Sequence, residues 1–457
     1  MVAAKVPQLP ADVLARYSTT APRYTSYPTA LVWRDLPETE ALDVLDRASR
    51  TKQPLSLYAH LPFCWKLCYY CGCNMMVTRN PKLVERYLAA LTTEIGRATL
   101  EHRPVTQIHW GGGTPTYLNS EQLTRLFNAM AERFKITPDA EISIEVHPPV
   151  TTLEQVKTLA RLGFNRVSMG VQDFDPVVQE AVHRIQPFEQ TRDLIQACRD
   201  AGFRGVSIDL MYGLPHQTPT TFQQTLDKVE QLRPDRIALF GYAHMPWIKP
   251  HQSLIQASAL PTPPHRLELF RGATARLLSL GYEYVGLDHF ALPHDELVVA
   301  RSKGKLQRNF MGYTTQAGTD LLAFGASSIS DVHGAYLQNA REVPEYMNLV
   351  ESNRLPITRG MTLSQDDLIR RDLIQALFCQ LSVDKARFSA LHGISFDEYF
   401  APELRKLAPL QEDGLVELHP ESVSITPTGQ MLLRNIAYAF DAYAREPGAP
   451  GRYSQTV

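Results

Sequence analysis

Three cysteines set close together are the residues of this chain best suited to chemistry. Cys64, Cys68 and Cys71 stand in the segment HLPFCWKLCYYCGCN with C-x3-C-x2-C spacing, and Cys73 follows two residues later. Three thiolates on one short loop can hold three irons of a [4Fe–4S] cluster and leave the fourth iron without a protein ligand. An open metal position is what a reaction site needs, whereas a structural zinc site is closed by four protein ligands.

Zinc is the alternative interpretation of the cysteine group. Zinc sites usually combine two cysteine pairs separated by a longer spacer, and the remaining cysteines here, Cys198 and Cys379, stand alone. We therefore favour the iron–sulfur cluster. We interpret Cys198 and Cys379 as small buried apolar side chains.

The elements around this group predict a parallel sheet. From Pro54 to Tyr242, short apolar runs alternate with helical patterns, which is typical of right-handed βαβ units. Six units are fewer than the eight of a full barrel. The predicted fold is therefore α/β, a partial parallel (β/α)6 barrel, with a doubly wound open sheet as the competitor. The predicted strands are Leu55–Leu61, Val105–Trp110, Glu141–Val146, Arg166–Val171, Gly205–Met211 and Arg236–Tyr242.

Alternation along these strands predicts one aliphatic face and one polar face. Ile142, Ile144 and Val146 alternate with Ser143 and Glu145, and the next two strands repeat the pattern. Since successive side chains point to opposite faces, the aliphatic face fits beneath helices and the other face lines a cavity.

Polar and glycine residues follow the predicted strands where ligand sites of parallel folds collect. Glu145, Gln172 and Asp209 lie at or just past strand ends, and Gly111–Gly113 of WGGGTPTYL follow the second strand. Glycines allow a ligand to approach the backbone closely. Each polar residue could instead bond a neighbouring loop, but the set favours a site.

The flanks divide the chain into further parts. Residues 1–50 form an N-terminal arm with the extended or looped segment APRYTSYPTA, residues 51–245 form the barrel, and residues 246–360 form an extension and connection. Residues 361–457 predict a mainly helical, winged-helix-like domain with a hairpin at DGLVELHPESVSITPTG. This domain has no basic stripe, which favours packing or substrate covering over DNA binding. A zinc-stabilised winged-helix regulator is the competing hypothesis.

Composition narrows the class of protein. The chain has 457 residues, is 44% hydrophobic and 21% charged, and carries a formal net charge of −2. A nearly neutral net charge gives no indication of binding to nucleic acid or to an anionic membrane surface. No apolar run approaches the ~18 residues of a membrane span, and the start lacks a signal-peptide core. We expect a cytoplasmic, monomeric enzyme.

Taken together, these motifs resemble a known superfamily. The C-x3-C-x2-C motif after the first strand, with the glycine-rich loop after the second, resembles the radical S-adenosylmethionine enzymes. Nearly the whole chain resembles one family within it, the oxygen-independent coproporphyrinogen III oxidases. The motifs that carry this likeness are PRYTSYPTA, CGCN, GGGTPTYL, NRVSMGVQDF, IDLMYGLP and YAH. A related haem-binding delivery protein is the alternative, but it typically lacks the CGC cysteine and the PRYTSYPTA arm.

The resemblance implies an anaerobic reaction of haem biosynthesis. In this reaction two propionates of coproporphyrinogen III become the vinyl groups of protoporphyrinogen IX. For each propionate, a 5′-deoxyadenosyl radical abstracts a hydrogen atom, and CO2 then leaves with loss of an electron. The implied cofactors are a [4Fe–4S] cluster and two molecules of S-adenosylmethionine. An electron donor and an electron acceptor, neither of them identified by the sequence, are implied as partners.

The resemblance also implies residue roles. Cys64, Cys68 and Cys71 would bind the cluster. Positions matching the first S-adenosylmethionine are Tyr58, Gly112, Glu145 and Ile329. Positions matching the second are Tyr70, Gly113, Thr114, Gln172, Arg184, Asp209 and Ala243.

Tyr58, His60 and Cys73 complete the candidate catalytic set. Cys73 is too close to Cys71 on the loop to reach the remaining iron, so we expect it not to be a ligand. It lies near the substrate or second cofactor, or else only packs. His60 shares a strand face with Tyr58 and would bond substrate or the cysteine loop, or be a core histidine satisfied by backbone.

Two further features belong to these expectations. Arg23, Tyr24 and Tyr27 of the arm are candidates to cover the barrel mouth and meet a substrate carboxylate. After the third strand the chain reads Glu145-Val146-His147-Pro148 where the family has an acidic residue in place of His147. Glu145 is kept, and the consequence of His147 is open.

Overall fold

Parallel strands form the centre of a 13-stranded sheet in this computed structural model, which describes Val13, Arg16, Tyr17 and residues 19–444. The strands in chain order are β1 (Arg34–Asp35), β2 (Leu55–Leu61), β3 (Phe63–Cys64), β4 (Met76–Val77), β5 (Pro104–Gly112), β6 (Lys135–Val146), β7 (Arg166–Gln172), β8 (Gly205–Tyr212), β9 (Arg236–Gly241), β10 (Glu283–Gly286), β11 (His289–Ala291), β12 (Gln307–Asn309), β13 (Gly312–Thr314), β14 (Asp320–Phe324), β15 (Ile329–Val332), β16 (Ala335–Asn339), β17 (Ile357–Thr362), β18 (Ser382–Asp384), β19 (Val416–Leu418) and β20 (Ser422–Ile425).

Helices connect most of these strands. In chain order they are α1 (Glu38–Ser49), α2 (Pro81–Gly96), α3 (Ser120–Arg133), α4 (Leu153–Arg161), α5 (Pro176–Ala181), α6 (Phe188–Asp200), α7 (Pro219–Leu232), α8 (Pro263–Ser279), α9 (Glu296–Ser302), α10 (Val343–Glu351), α11 (Gln365–Gln380), α12 (Lys385–His392), α13 (Phe396–Tyr399), α14 (Ala401–Glu412) and α15 (Leu433–Tyr438). Among the described residues, no helix has both the length and the apolar character that a membrane crossing requires.

The strand order is that of a barrel wall. The sheet runs β1-β17-β16-β15-β14-β2-β5-β6-β7-β8-β9-β11-β10, and every pairing from β14 to β9 is parallel. From β2 to β9 each new strand joins the same side of its predecessor, whereas a doubly wound sheet reverses direction. The predicted partial barrel and its six strands are therefore confirmed, and the doubly wound alternative is wrong.

The sheet is wider than the sequence predicted. Strand β14 adds a seventh parallel strand beside β2. Antiparallel strands then extend both edges, β15–β17 with β1 on one side and β11 with β10 on the other. These additions are strands of two to six residues within segments interpreted as arm or connection, and such short runs carry little periodic signal.

The predicted two faces of the strands are confirmed in β6. Ile142, Ile144 and Val146 are buried, whereas Ser143 and Glu145 are half-buried on the opposite face. Strands β7 and β8 show the same alternation. The apolar face packs beneath the outer helices in the largest hydrophobic core, and the polar face lines the barrel interior.

Local signals set where the outer helices begin. Asn119 and Gln122 form a reciprocal capping box at α3, and Thr152 and Gln155 do the same at α4. Each box satisfies two backbone N–H groups that a helix start otherwise leaves unpaired. The capping boxes thereby set where α3 and α4 begin, shortly after the carboxyl ends of the strands that precede them.

The arm and the C-terminal unit differ in detail from expectation. Helix α1 lies in the N-terminal arm after the segment APRYTSYPTA, where no helix was predicted, and Ala41, Val44 and Ala48 form its buried face. Strands β19 and β20 form the predicted hairpin, and β18 pairs with β20 as a third strand, in the order β18-β20-β19. The last helix, α15, begins at Leu433, directly after Gly429–Leu432 form a 3-10 turn.

The arm lies against the C-terminal unit. The Tyr24 hydroxyl donates to Asp441 at 3.0 Å, and the Tyr27 hydroxyl accepts from the Ala442 amide at 3.0 Å. Arg23 instead reaches the barrel, where it donates to the Gly241 carbonyl at 2.9 Å. The arm therefore joins the C-terminal unit to the rim of the barrel.

Candidate active site

The carboxyl ends of the parallel strands bring most of the predicted residues to one edge of the sheet. Tyr58 is in register with His109, Glu145 with Ser168, and Gly170 with Asp209. Side chains on the polar face therefore form rows across neighbouring strands. This edge is the barrel mouth.

The cysteine loop, residues 64–77, spans part of this mouth. Parallel pairing of β3 with β4 closes the loop at its base. The Leu67 carbonyl lies 2.8 Å from Nδ1 of His183, and the Tyr69 amide donates to the Val182 carbonyl at 3.0 Å. The ring of Tyr69 also stacks on that of His183. The segment after α5 thus fixes one side of the loop.

A second segment, residues 249–252, fixes the other side. Three of its side chains bond to carbonyl oxygens of the cysteine loop. The pairs are Lys249 with Cys73 at 2.8 Å, His251 with Cys71 at 2.8 Å and Gln252 with Tyr70 at 3.0 Å. The sequence analysis missed these residues, because a proline-rich segment far along the chain shows no local sign of this contact.

The three predicted ligand thiols are half-buried, and Cys73 is exposed. The Cys64 Sγ lies 3.6 Å from the Thr114 hydroxyl, and the Cys68 Sγ lies 3.6 Å from Nη1 of Arg184. A hydrogen bond from Cys73 lowers the pKa of Cys71 to about 7, whereas burial raises the pKa of Cys64 to about 11. A cation in contact with Cys64 would therefore be needed to hold its thiolate.

At Gly112 and Gly113 the Cβ of any other residue would collide with neighbouring atoms. Gly112 has a φ of 121°, and a Cβ there would lie 2.8 Å from the His60 ring. A Cβ on Gly113 would lie 2.7 Å from the Pro62 carbonyl oxygen. The Gly113 amide also donates to the Leu61 carbonyl at 2.9 Å. The glycine loop therefore packs directly on the strand that leads into the cysteine loop.

Glu145 is held by two donors. Its Oε2 accepts from the Gly112 amide at 3.1 Å, and its Oε1 lies 3.5 Å from Nε2 of His109. Burial raises the pKa of this carboxyl, but the His109 and Gly112 bonds outweigh burial and leave the pKa lowered. The carboxylate is thus ionised and ready to accept bonds from a ligand. His109 was missed in the sequence, where a single histidine on a strand carries no signal.

Tyr58 and His60 form a bonded pair on one face of β2. The Tyr58 hydroxyl lies 3.1 Å from Nδ1 of His60, whose Nε2 lies 2.8 Å from the Asn74 carbonyl. Burial lowers the pKa of His60. A neutral ring that accepts from Tyr58 and donates to Asn74 has both nitrogens occupied. His60 therefore links Asn74, in the cysteine loop, to Tyr58. A bond from His60 to the cysteine loop is one of the roles that the sequence analysis gave for this residue.

Gln172, Arg184 and Asp209 lie on the far side of the mouth. Arg184 donates to the Gly170 carbonyl at 2.5 Å, while its Nε is buried without a partner among the described residues. The Oε1 of Gln172 is also buried and unpartnered there. Burial and the charge of Glu145 raise the pKa of Asp209 to about 7. Polar atoms left without partners at a buried position indicate a missing polar ligand.

The remaining predicted residues reach the mouth from different directions. Tyr70 packs beside Val178 and Tyr242, and Ala243 follows the end of β9. Ile329 begins β15, two strands away from Tyr58. The Nε2 of His147 is buried and has no hydrogen-bond partner in the described part of the chain, and burial with the charges of Arg184 and Lys66 lowers the pKa of His147 to about 2. The imidazole of His147 is thus neutral.

The residues present fit the implied groups. Three sulfurs on one loop are the donor set of a [4Fe–4S] cluster, although across the described ranges no three His, Cys, Asp or Glu side chains converge as ligands of a single ion. The glycine cradle, the ionised Glu145 and the unpartnered atoms of Gln172 and Arg184 suit a charged, nucleoside-bearing ligand. The structure brings both sets to one mouth.

Comparison with known proteins agrees with this geometry. Residues 58–229 match the Radical SAM superfamily, and residues 363–432 match the HemN C-terminal domain. The chain is 45% identical to the oxygen-independent coproporphyrinogen III oxidase of Salmonella typhimurium over 97% of this chain and 98% of that protein. The enzyme of the same name from Synechocystis is 42% identical over 98% of each chain.

A solved structure shows the same arrangement. The coproporphyrinogen III oxidase HemN of Escherichia coli, described as a radical SAM enzyme, superposes with a TM-score of 0.91. It is 43% identical in sequence, and the match covers 96% of this chain and 100% of that one. The likeness therefore includes the arm, the barrel and the C-terminal unit together.

Proposed function

This chain belongs to the oxygen-independent coproporphyrinogen III oxidases of the radical SAM superfamily, and from that we propose how its residues carry out the reaction. The protein is a radical SAM oxidoreductase of haem biosynthesis. It decarboxylates two propionates of coproporphyrinogen III to vinyl groups. The observation that supports this most strongly is the likeness over the full chain to enzymes of that name, joined to three half-buried cysteines at the mouth of the barrel.

The cofactors supply what the side chains cannot. When bound, a [4Fe–4S] cluster and S-adenosylmethionine provide a radical that abstracts hydrogen from an unactivated C–H bond, a step beyond the reach of a protein base. We assign Cys64, Cys68 and Cys71 to the cluster. We do not assign Cys73 to the cluster, because it follows Cys71 by only two residues on the same loop and is poorly placed to reach the remaining iron.

The first S-adenosylmethionine is assigned to the side of the mouth near β2. Glu145 offers an ionised carboxylate whose orientation is fixed by the Gly112 amide and His109. Tyr58 and Ile329 border the same side. His60 acts as a positioning residue, since both its ring nitrogens bond within the protein.

A second S-adenosylmethionine is assigned to the opposite side. Arg184 can donate from Nε and Gln172 can accept at Oε1, two atoms that bond to no other described residue. Asp209 supplies a carboxylate that can attract a sulfonium or accept from ribose hydroxyls. The other residues assigned to this side are Tyr70, Gly113, Thr114 and Ala243.

A direct assay tests the function. Incubated anaerobically with coproporphyrinogen III, S-adenosylmethionine, a reductant and a one-electron acceptor, the purified protein should release protoporphyrinogen IX and two CO2 per ring. Product is read by its fluorescence after oxidation. Omitting S-adenosylmethionine should abolish product. Absence of product from protein that carries its full iron content would contradict the proposal.

The haem-delivery alternative is not favoured. The relatives that match this chain over nearly its full length carry the oxidase name. The same assay separates the two functions, because a delivery protein would bind haem in stoichiometric amount and release no protoporphyrinogen.

Affinity for S-adenosylmethionine should fall as pH drops from 8 to 6. Asp209 has its pKa raised to about 7 by burial and by Glu145, so acidification through that pH protonates it. A sulfonium favours the ionised carboxylate, so binding is tighter where Asp209 is already ionised and weakens below its pKa. We expect a loss of up to about tenfold at pH 6, in line with one proton per site. Equilibrium dialysis with labelled S-adenosylmethionine measures it.

The matched variant is Asp209→Asn, which keeps the shape and removes the titration. Its affinity should be weaker at pH 8 and nearly constant down to pH 6. An equally steep pH dependence in Asp209→Asn would show that another group is responsible.

Further partners follow from the chemistry. We propose that one electron donor reduces the cluster and that one acceptor takes the electron left by each decarboxylation. We also propose that the protein acts as a monomer in the cytoplasm. The six free cysteines support a reducing compartment.

A further inference from the structure

A cavity of about 70 Å³ lies beside the barrel mouth, away from the assigned cofactor residues. Tyr212 and Gly241, at the ends of β8 and β9, form one wall. Three arginines line the cavity, each from a different part of the chain: Arg23 from the arm, Arg308 from β12 and Arg434 from α15.

Backbone carbonyls orient these arginines. Arg308 donates to the Tyr24 carbonyl at 2.7 Å, and Arg434 donates through Nε to the Pro22 carbonyl at 3.1 Å. Arg23 donates to Gly241 at the end of β9. A carbonyl oxygen is neutral overall, so these bonds fix the positions of the guanidinium groups without cancelling their charge.

A fourth arginine adds to the positive charge. Arg266 of α8 lies over the ring of Tyr212, 5.9 Å from its centroid, and donates to the Tyr242 carbonyl at 2.8 Å. The Nε atoms of Arg266 and Arg308 are buried and have no partner among the described residues. Of these two, Arg308 lines the cavity, whereas Arg266 lies behind Tyr212 and contributes its charge.

Among the residues that the structure describes, Asp288 is the one acid that lines the cavity. Its carboxylate lies 3.7 Å from Arg23 and 2.8 Å from His289. Burial and the charge of Arg23 together lower the pKa of Arg434 to about 9. Burial likewise lowers the pKa of Arg266. Positive charge thus exceeds negative charge in a partly desolvated space, which favours an anion.

The size and place of the cavity suit one substituent of a larger ligand. Its volume exceeds what one water needs but is well below the several hundred Å³ that enclose a whole ligand. Tyr212 lies three residues beyond Asp209 on β8, and the charge of Asp288 contributes to the raised pKa of Asp209. The cavity is therefore next to the mouth assigned to the cofactors.

We propose that Arg23, Arg308 and Arg434 form a subsite for one propionate carboxylate of coproporphyrinogen III, with Arg266 adding to its positive field. This inference rests on the proposed function, which supplies a substrate with four carboxylates. A guanidinium fork pairs with a carboxylate through two parallel hydrogen bonds, giving both affinity and orientation. The subsite holds the ring in place through this carboxylate, and the cofactor residues are not part of it.

Two substitutions test the subsite. Arg23→Gln and Arg434→Gln each remove one charged donor, and we expect each to raise KM for coproporphyrinogen III by roughly 10- to 100-fold with little change in kcat, the effect of losing a charged hydrogen bond. Arg23 is 36% exposed, so its substitution should not disturb folding. Arg276→Gln is the matched control, an arginine of the same helix as Arg266 that pairs with Asp227 and Glu230 outside the cavity.

A binding measurement adds a readout independent of turnover. Coproporphyrin III, which is fluorescent and does not react, should bind the wild-type protein much more tightly than its tetramethyl ester. Arg23→Gln and Arg434→Gln should reduce this preference about tenfold or more. Cluster absorbance and cleavage of S-adenosylmethionine without substrate should stay as in wild type.

The outcomes separate this inference from the proposed function. If wild-type protein makes protoporphyrinogen while both variants keep its KM and its preference for the free acid, the subsite is wrong and the function stands. If wild-type protein makes no product, the function itself fails. If Arg434→Gln does not fold, Arg434→Lys replaces it, because lysine keeps the charge but cannot form two parallel hydrogen bonds. We expect its KM to lie between that of wild type and that of Arg23→Gln.

Discussion

Replacing Cys68 with serine should give a folded protein without the brown iron–sulfur absorbance and without detectable turnover. The Cys68 thiol is half-buried at the mouth, 3.6 Å from Arg184, on a loop held from both sides. Serine cannot supply the soft thiolate that iron prefers. Because the reaction depends on the cluster, we expect a loss of at least about 10⁶-fold, the low end of enzymatic rate enhancement. Anaerobic absorption spectra, iron content and product formation measure it.

Two other cysteines serve as controls for this result. Cys198→Ala removes a buried thiol on α6, far along the chain from the loop, and should keep both cluster and activity. Cys73→Ser should keep the electron paramagnetic resonance signal of the reduced [4Fe–4S] cluster, since we do not assign Cys73 to the cluster. Loss of that signal in Cys73→Ser, or its survival in Cys68→Ser, would contradict the assigned ligand set.

Replacing Gly113 with alanine should lower kcat/KM about 100-fold while leaving the protein folded. The new Cβ would stand 2.7 Å from the Pro62 carbonyl oxygen and 2.8 Å from that of Phe63, so backbone must move. That backbone leads directly into Cys64. Displacement by about 1 Å at a reaction site is enough for an effect of this size. Steady-state kinetics and S-adenosylmethionine affinity measure it.

The matched control for this variant is Gly96→Ala. Gly96 ends α2, and a Cβ there would have no atom within 4 Å. This variant should keep full activity and gain up to about 1 kcal/mol in unfolding free energy, since alanine favours a helix. Equal kinetics for Gly113→Ala and wild type would show that the glycine loop does not position the reaction site.

The barrel could be predicted because its signals are local. Alternation in β6 and its neighbours, together with the βαβ spacing, depends only on residues adjacent in sequence. Strand β14 and the edge strands were missed because they are short and become strands only through pairing with the barrel. Helix α1 was missed although Ala41, Val44 and Ala48 recur at helical spacing, since the tyrosine- and proline-rich segment before it dominated the interpretation.

The candidate site was predictable to the extent that it lies in motifs. The cysteine and glycine loops carry fixed spacings, and the resemblance supplied the isolated positions such as Arg184 and Asp209. Residues 249–252 and the arginine subsite had no such signal. Their members come together only in the folded chain, where Arg23 and Arg434 are 411 positions apart in sequence but line one cavity.

The position of the arm also has a consequence for synthesis of the protein. Tyr24 and Tyr27 find their partners, Asp441 and Ala442, only after α15 has emerged from the ribosome. A nascent polypeptide that ends within the barrel can thus present all three cluster thiols while the carboxylate subsite is still incomplete. Arg434 lies in α15, so the three arginines of the subsite can come together only once translation has passed that helix.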